Sequence, residues 1–199
     1  MVKFIYILES VMSTIINLFG GPGIGKSTIS AGLFSEMKKN NYDVELTYEF
    51  PKMVAWEENY SSIKDQFFIT ANQHRNISRL YNKVSYIIVD SPIILGIIYK
   101  CKYNNIDAYP SNLYGDLFDE FIFDLFKKYD NLNIVLERKN GSFDENGRLQ
   151  NYDESRKIDL EIEKVLSAND IPYIKFPVYN DTHLDIYKHI KENKKLYDK

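Results

Sequence analysis

The chemistry in this chain starts at Thr14 to Thr28, TIINLFGGPGIGKST, where an apolar, β-branched run meets a glycine-rich loop ending in Gly25-Lys26-Ser27. Gly20, four residues and then Gly25-Lys26-Ser27 fit G-x-x-x-x-G-K-[ST], the spacing of a phosphate-binding P-loop, with a strand pattern before it and a helix pattern after it. Glycines at 20, 21, 23 and 25 allow the backbone turns that bring successive N–H groups to one anion, and the following helix aims its positive end at the same point. Gly21, Gly23, Ile24, Gly25, Lys26, Ser27 and Thr28 are therefore the expected phosphate cradle. Lys26 supplies a cation for the β- and γ-phosphates and Ser27 a hydroxyl for Mg²⁺.

A second acidic group belongs with that hydroxyl. Val84 to Val89, VSYIIV, is a continuous apolar run of the kind buried on both faces of a parallel sheet, and it ends in Asp90-Ser91-Pro92. An apolar strand followed by Asp is the Walker B arrangement, which makes Ser27 and Asp90 the expected magnesium pair and Mg·ATP the expected cofactor. The three histidines, His74, His183 and His189, show no metal-ligand spacing.

The elements that must hold these residues alternate. A helix is expected over Lys26 to Asn40 with Ile29, Leu33, Phe34 and Met37 inward, and a strand over Asp43 to Tyr48 that delivers Glu49 into a turn closed by Pro51. One long helix is expected from about Ser61 to Asn82, with Ile63, Phe67, Ile69, Ile77, Leu80 and Tyr81 on its apolar spacing. Ile93 to Tyr99 suits a short helix, and Leu113 to Tyr129 a longer one burying Leu117, Phe118, Phe121, Ile122 and Leu125. Asn131 to Glu137 reads as a strand, Asp153 to Ala168 as a helix, Ile171 to Phe176 as a strand, and Asp181 to Tyr197 as a helix burying Leu184, Ile186, Tyr187 and Ile190. The expected fold is α/β: a three-layer α/β/α P-loop NTPase with a mainly parallel five-stranded sheet and ligands at the strands' carboxyl ends. Residues 138–152, glycine- and charge-rich, suit a lid segment.

Composition limits the partners. With 199 residues, one α/β domain spanning 1–199 is expected. A net charge of −3 gives no global basic field, so nucleic acid is not indicated as a partner, although a local basic groove stays open. The single cysteine, Cys101, excludes an internal disulfide framework and a cysteine-based metal cluster, which suits an intracellular, cytoplasmic chain. No run reaches the roughly 18 apolar residues of a membrane span. Residues 1–12 suit an N-terminal extension, with Met12 an alternative start. A homodimer is compatible with all of this.

The P-loop and Asp90 leave three fates for a γ-phosphate: transfer to a small acceptor, transfer to water, or retention by a binding module. A guanine-reading N-K-x-D segment is absent: Asn82-Lys83 leads into Val-Ser and Asn193-Lys194 into Lys-Leu.

From Met12 onward the order of elements resembles the P-loop nucleoside and nucleotide kinases, among them the adenylate, thymidylate and deoxynucleoside kinases, and the small phage-type AAA/P-loop kinases. LTYEFPKMVAWEEN is similar to the segment in which deoxynucleoside kinases carry a catalytic Glu, and the resemblance implies that role for Glu49. It also implies base-reading roles for Gln66 and Gln73, with Trp56 and Phe67 near the acceptor. Ser91 stands where that family has Arg, which passes the acceptor-clamping role to Arg75 or Arg79. Arg138, Arg148 and Arg156 resemble lid arginines that close over the transferring phosphoryl group. The expected activity is then ATP-dependent phosphotransfer to a nucleoside, a nucleotide or a related small acceptor, with Glu49 or Asp90 deprotonating it. A kinase of a modified base or end in DNA, and a regulatory module with slow ATP hydrolysis, are the alternatives.

Overall fold

A computed structural model describes residues 12–103, 111–139 and 151–194. Five strands, β1 (Thr14–Phe19), β2 (Val44–Thr47), β3 (Tyr86–Val89), β4 (Asp130–Glu137) and β5 (Ile174–Pro177), form one sheet in the order β2-β3-β1-β4-β5. Every pairing in it is parallel. Eight helices are found among the described residues: α1 (Lys26–Lys39), α2 (Phe50–Trp56), α3 (Tyr60–Lys64), α4 (Gln66–Ser78), α5 (Leu95–Tyr103), α6 (Ser111–Lys127), α7 (Tyr152–Ala168) and α8 (Thr182–Glu192). The expected α/β fold with a mainly parallel five-stranded sheet is observed, and the sheet is parallel throughout.

Strand alternation sorts the core into two layers. Ile15 and Phe19 of β1, with Ile87, Val89 and Val135, pack under Phe118, Ile122, Ile158, Ile162 and Leu166 of α6 and α7. Ile16 and Leu18, with Ile88, Ile134 and Leu136, pack under Ile29, Leu33 and Met37 of α1 and Ile186 and Ile190 of α8. All six residues of β1 are buried, because a central strand covered on both faces leaves no solvent side. Of the two polar residues of β1, Thr14 donates through Oγ1 to Asp130 Oδ2 at 3.0 Å, and Asn17 donates to Asn131 Oδ1 at 2.9 Å and Asn133 Oδ1 at 3.0 Å. Asn131 in turn donates to the Phe126 and Tyr129 carbonyls, and Asn133 to that of Pro172. A one-residue slip of β1 against β4 would strand these amides without partners, so the network fixes the register that levels the strands' carboxyl ends.

Several boundaries differ from expectation. The long helix over 61–82 is two helices, broken at Asp65, whose backbone is extended and whose carboxylate accepts from the Phe68 N–H at 3.0 Å to cap α4. Leu80 and Tyr81 lie beyond α4 and pack on the core from a turn. The segment after Glu49 is not a turn but α2, with Pro51 in its first turn where a missing N–H costs nothing. On α6 the buried stripe is Phe118, Ile122 and Phe126, and Leu117 and Phe121, expected inside, are 64% and 58% exposed. Leu184 of α8 is likewise exposed. β5 begins at Ile174 rather than Ile171. The N-terminal extension to Val11, most of the lid over 138–152, and the last residues of the expected terminal helix lie outside the described residues. Among the described residues no helix is long and apolar enough to cross a membrane.

Candidate functional site

β1 ends at the centre of the sheet, and the chain turns there into α1 through Gly20–Gly25. Gly25 is the N-cap of α1 with φ 100°, left-handed backbone that an L side chain rarely adopts, and this sharp entry points the first turn of α1 back at the loop. Lys26, Ser27 and Thr28 open the helix, where N–H groups have no intrahelical acceptor and favour an anion. Ile24 is buried, anchoring the loop to the α1 side of the core. Lys26 is also buried, and its Nζ donates to the Gly20 carbonyl at 2.7 Å and the Gly21 carbonyl at 3.2 Å. The ammonium thus lies across the loop mouth.

β3 is the neighbour of β1, in register Asn17 to Val89, so Asp90 emerges beside the loop. Ser27 Oγ donates to Asp90 Oδ2 at 2.8 Å. Asp90 is 5% exposed, and its Oδ1 is buried with no hydrogen-bond partner among the described residues. Leaving such an oxygen unsatisfied costs roughly 1–3 kcal/mol or more, an expense a fold accepts where a ligand supplies the partner. A hydroxyl and a carboxylate are hard oxygen donors, and Mg²⁺ is commonly held by one or two protein oxygens together with substrate phosphates. The residues present fit that ion.

β2 lies beyond β3, in register Thr47 to Val89, and Glu49 leaves its end at the same sheet edge as Asp90. Glu49 is the N-cap residue of α2 by position, but its carboxylate does not cap the helix, and it is half-buried. Along α4, Gln66, Thr70 and Gln73 are 7%, 2% and 5% exposed. Their i, i+4, i+7 spacing makes one buried polar stripe where helices ordinarily bury apolar residues. Gln73 Nε2 donates to Ser91 Oγ at 2.7 Å and Gln66 Nε2 to the Ile63 carbonyl at 2.7 Å. Gln73 Oε1 and Thr70 Oγ1 are buried without a hydrogen-bond partner among the described residues. Gln73 is thereby tied to the residue that follows Asp90.

The arginines divide. Arg75 and Arg79 are exposed, and Arg75, about 200° around α4 from Gln73, is not brought to that stripe. Arg138 Nε donates to Asp159 Oδ2 at 2.9 Å and Nη2 to the Pro22 carbonyl at 2.9 Å, while most of the expected lid lies outside the described residues. Arg138 and Arg156 both place their guanidinium carbons 6.0 Å from the Tyr152 ring. Arg148 lies outside the described residues. Trp56 is 76% exposed, and Phe67 meets the Phe118 ring edge-on at 4.6 Å. Among the described residues no group of three or more His, Cys, Asp and Glu is placed for a metal.

Sequence reasoning missed three contributors. Thr70 was legible as the i+4 member between the two glutamines. Ser155 and Asp159 of α7, one turn apart, contact the loop at Pro22 and Gly21, and no local pattern points from α7 to a loop more than 130 residues earlier.

No family model matches the chain, and no curated protein matches it. Solved structures do. NadR protein, in complex with NR, superposes with a TM-score of 0.69 at 15% identity over 94% of this chain, which spans 52% of the NadR chain, about half its length. Deoxyadenosine kinase from M. mycoides with bound dATP gives 0.58 at 21% identity over 89% of this chain and 99% of that one. The same kinase with bound dCTP gives 0.55 at 20% identity, with 90% and 99% covered. At these identities the likeness concerns the fold.

Proposed function

From the fold that this chain shares with those kinases, we propose that it is an ATP-dependent phosphotransferase whose acceptor is a nucleoside, a nucleotide or a related small molecule. The observation that carries this is the meeting, at one sheet edge, of a donor half and a polar acceptor half. Ser27 hydrogen-bonds Asp90 beside the P-loop, and the residue after Asp90 hydrogen-bonds Gln73 of the buried polar stripe.

ATP is the donor. Ser27 Oγ and Asp90 would hold Mg²⁺, which when bound neutralises charge on the β- and γ-phosphate oxygens. Lys26 leaves the Gly20 and Gly21 carbonyls for those oxygens and stabilises the charge that spreads onto the transferred group. Glu49 takes the proton of the acceptor hydroxyl as its oxygen bonds to the γ-phosphorus. The bond from that phosphorus to the β–γ bridging oxygen breaks, and ADP leaves with the electron pair. The buried amides of Gln66 and Gln73 suit a planar ligand rich in hydrogen-bonding groups, such as a nucleobase. Deoxynucleosides are the first acceptors to try, since one of the superposed proteins is a deoxyadenosine kinase, with nicotinamide riboside beside them.

The test is an acceptor screen with γ-labelled ATP and Mg²⁺, over nucleosides, deoxynucleosides, nucleoside monophosphates, nicotinamide riboside and DNA carrying modified bases or free ends. Labelled product from a small acceptor is expected. Transfer only to DNA would move the acceptor to a polymer. Transfer to nothing, with or without slow release of phosphate, would overturn the proposal in favour of a nucleotide-binding module.

A further inference from the structure

Gly21 is the point at which the phosphate-binding loop touches α7. A Cβ there would stand 2.5 Å from the Ser155 carbonyl oxygen and 2.8 Å from Asp159 Oδ1, so the contact admits no side chain. The Gly21 N–H donates to Asp159 Oδ1 at 2.5 Å. Asp159 Oδ2 accepts from Arg138 Nε, and Arg138 Nη2 reaches past it to the Pro22 carbonyl. Ser155 Oγ donates to that same carbonyl at 2.7 Å. From the other side Lys26 holds the carbonyls of Gly20 and Gly21. From the Gly20 carbonyl to the Pro22 carbonyl, every backbone polar group therefore has a partner, proline having no N–H to satisfy. Backbone donors for an anion are then the N–H groups that follow, up to the first turn of α1.

A carboxylate bonded to a phosphate-binding loop carries an electrostatic cost, since it repels the triphosphate the loop is shaped to hold. Arg138 offsets it. Its side chain is 6% exposed, that of Asp159 is 20% exposed, and the 2.9 Å pair is sheltered from the screening that weakens surface ion pairs.

We propose that Asp159 and Arg138 are a positioning pair for the donor site. Asp159 fixes the Gly21 amide; Arg138 fixes the Pro22 carbonyl and cancels the charge of Asp159, so the first half of the loop is set before a triphosphate arrives. This rests on the triphosphate-binding function proposed above. It also gives Arg138 a role in loop geometry, separate from closure over the phosphates, and it confines the effect of the pair to donor affinity.

The experiment is calorimetric titration of the full chain with Mg·ATP, alongside the acceptor KM at saturating ATP. Asp159→Ala removes the acceptor of the Gly21 N–H and leaves Arg138 without its counter-ion; its Kd for ATP is expected to rise about tenfold or more, with the acceptor KM within about twofold of wild type. Asp159→Asn keeps an oxygen for the Gly21 N–H, and its Kd is expected to stay within about threefold of wild type. If Asp159→Ala does not fold, Arg138→Lys decides, because it keeps the charge and loses the fork that bridges Asp159 and Pro22; a Kd raised about fivefold with an unchanged acceptor KM is expected. Unchanged ATP affinity in the folded variants, or parallel loss of donor and acceptor binding, overturns the positioning pair. A wild-type chain that binds no triphosphate overturns the function itself and the pair with it, a result distinct from a wild type that binds and an Asp159→Ala variant that binds equally well.

Discussion

Ser27 Oγ lies 2.8 Å from Asp90 Oδ2, while the second oxygen of that buried carboxylate meets no donor among the described residues. The pair is incomplete as a structural contact but fits half of the cation site proposed above, and that asymmetry lets function be tested apart from stability. Asp90→Asn removes a buried charge and keeps an acceptor for Ser27. The variant is expected to melt no lower than wild type without ligand, while phosphotransfer falls about 10²- to 10³-fold and its half-saturating Mg²⁺ concentration rises. A thermal melt of the free protein and a magnesium titration of the rate check the two halves. Loss of melting temperature with unchanged Mg²⁺ dependence would make Asp90 a purely structural group.

The proposed donor half was legible because its parts are consecutive. Gly25-Lys26-Ser27 and the run ending in Asp90 each declare themselves within a few residues, and the register of β1 with β3 then brings them together. A mainly parallel sheet followed from alternating strand and helix patterns, but neither the strand order nor the break at Asp65 did, since one capping carboxylate outweighed a continuous helical periodicity. The expected stripe of α6 is wider than the observed one: Phe118 and Ile122 are buried as expected, but Leu117 and Phe121, equally apolar, face outward, and only packing against the sheet selects Phe126 as the third inner residue. Arg138 could be recognised as chemically apt but not placed, because its partners, Asp159 and Pro22, lie 21 and 116 residues away.

His74 gives the fold a pH dependence of known sign. Its Nε2 lies 2.7 Å from the Tyr129 hydroxyl, Tyr81 packs edge-on against Tyr129, and burial lowers the His74 pKa below its ordinary 6.5. Between the lowered folded value and 6.5 the unfolded chain binds more protons than the folded one, so stability rises with pH. The contribution is complete above pH 6.5 and is lost as pH falls through the folded value. Urea midpoints measured from pH 5 to 8 are expected to climb in wild type and to flatten in His74→Gln. A wild-type slope that survives the substitution would assign the titration elsewhere.

Gly32 of α1 packs directly against His183 of α8. A Cβ at Gly32 would sit 2.8 Å from His183 Cγ and Cδ2 and 3.2 Å from its Cβ. Gly32→Ala gains up to about 1 kcal/mol of helix propensity, whereas forcing atoms into a packed contact costs about 1–3 kcal/mol. Net destabilisation of about 1 kcal/mol is expected from chemical denaturation. In Gly32→Ala/His183→Ala the 2.8 Å ring contacts are gone, only the 3.2 Å Cβ contact remains, and the propensity gain is kept, so the double mutant is expected to recover stability relative to Gly32→Ala. An additive cycle would show that the two side chains do not compete for the same space.

Glu49 and Asp90 leave adjacent strands at one edge of the sheet, and the two carboxylates have different tasks in the proposed reaction. Asp90 is bonded to Ser27 and belongs to the donor; Glu49 sits at the start of α2, which it does not cap, and belongs to the acceptor. Glu49→Gln preserves size and removes basicity. The expected result is a fall of about 10²- to 10⁴-fold in kcat, the range of a positioned general base, with Mg·ATP affinity measured by calorimetry within about twofold of wild type. Weakened ATP binding with kcat preserved would place Glu49 on the donor side and leave Asp90 as the base.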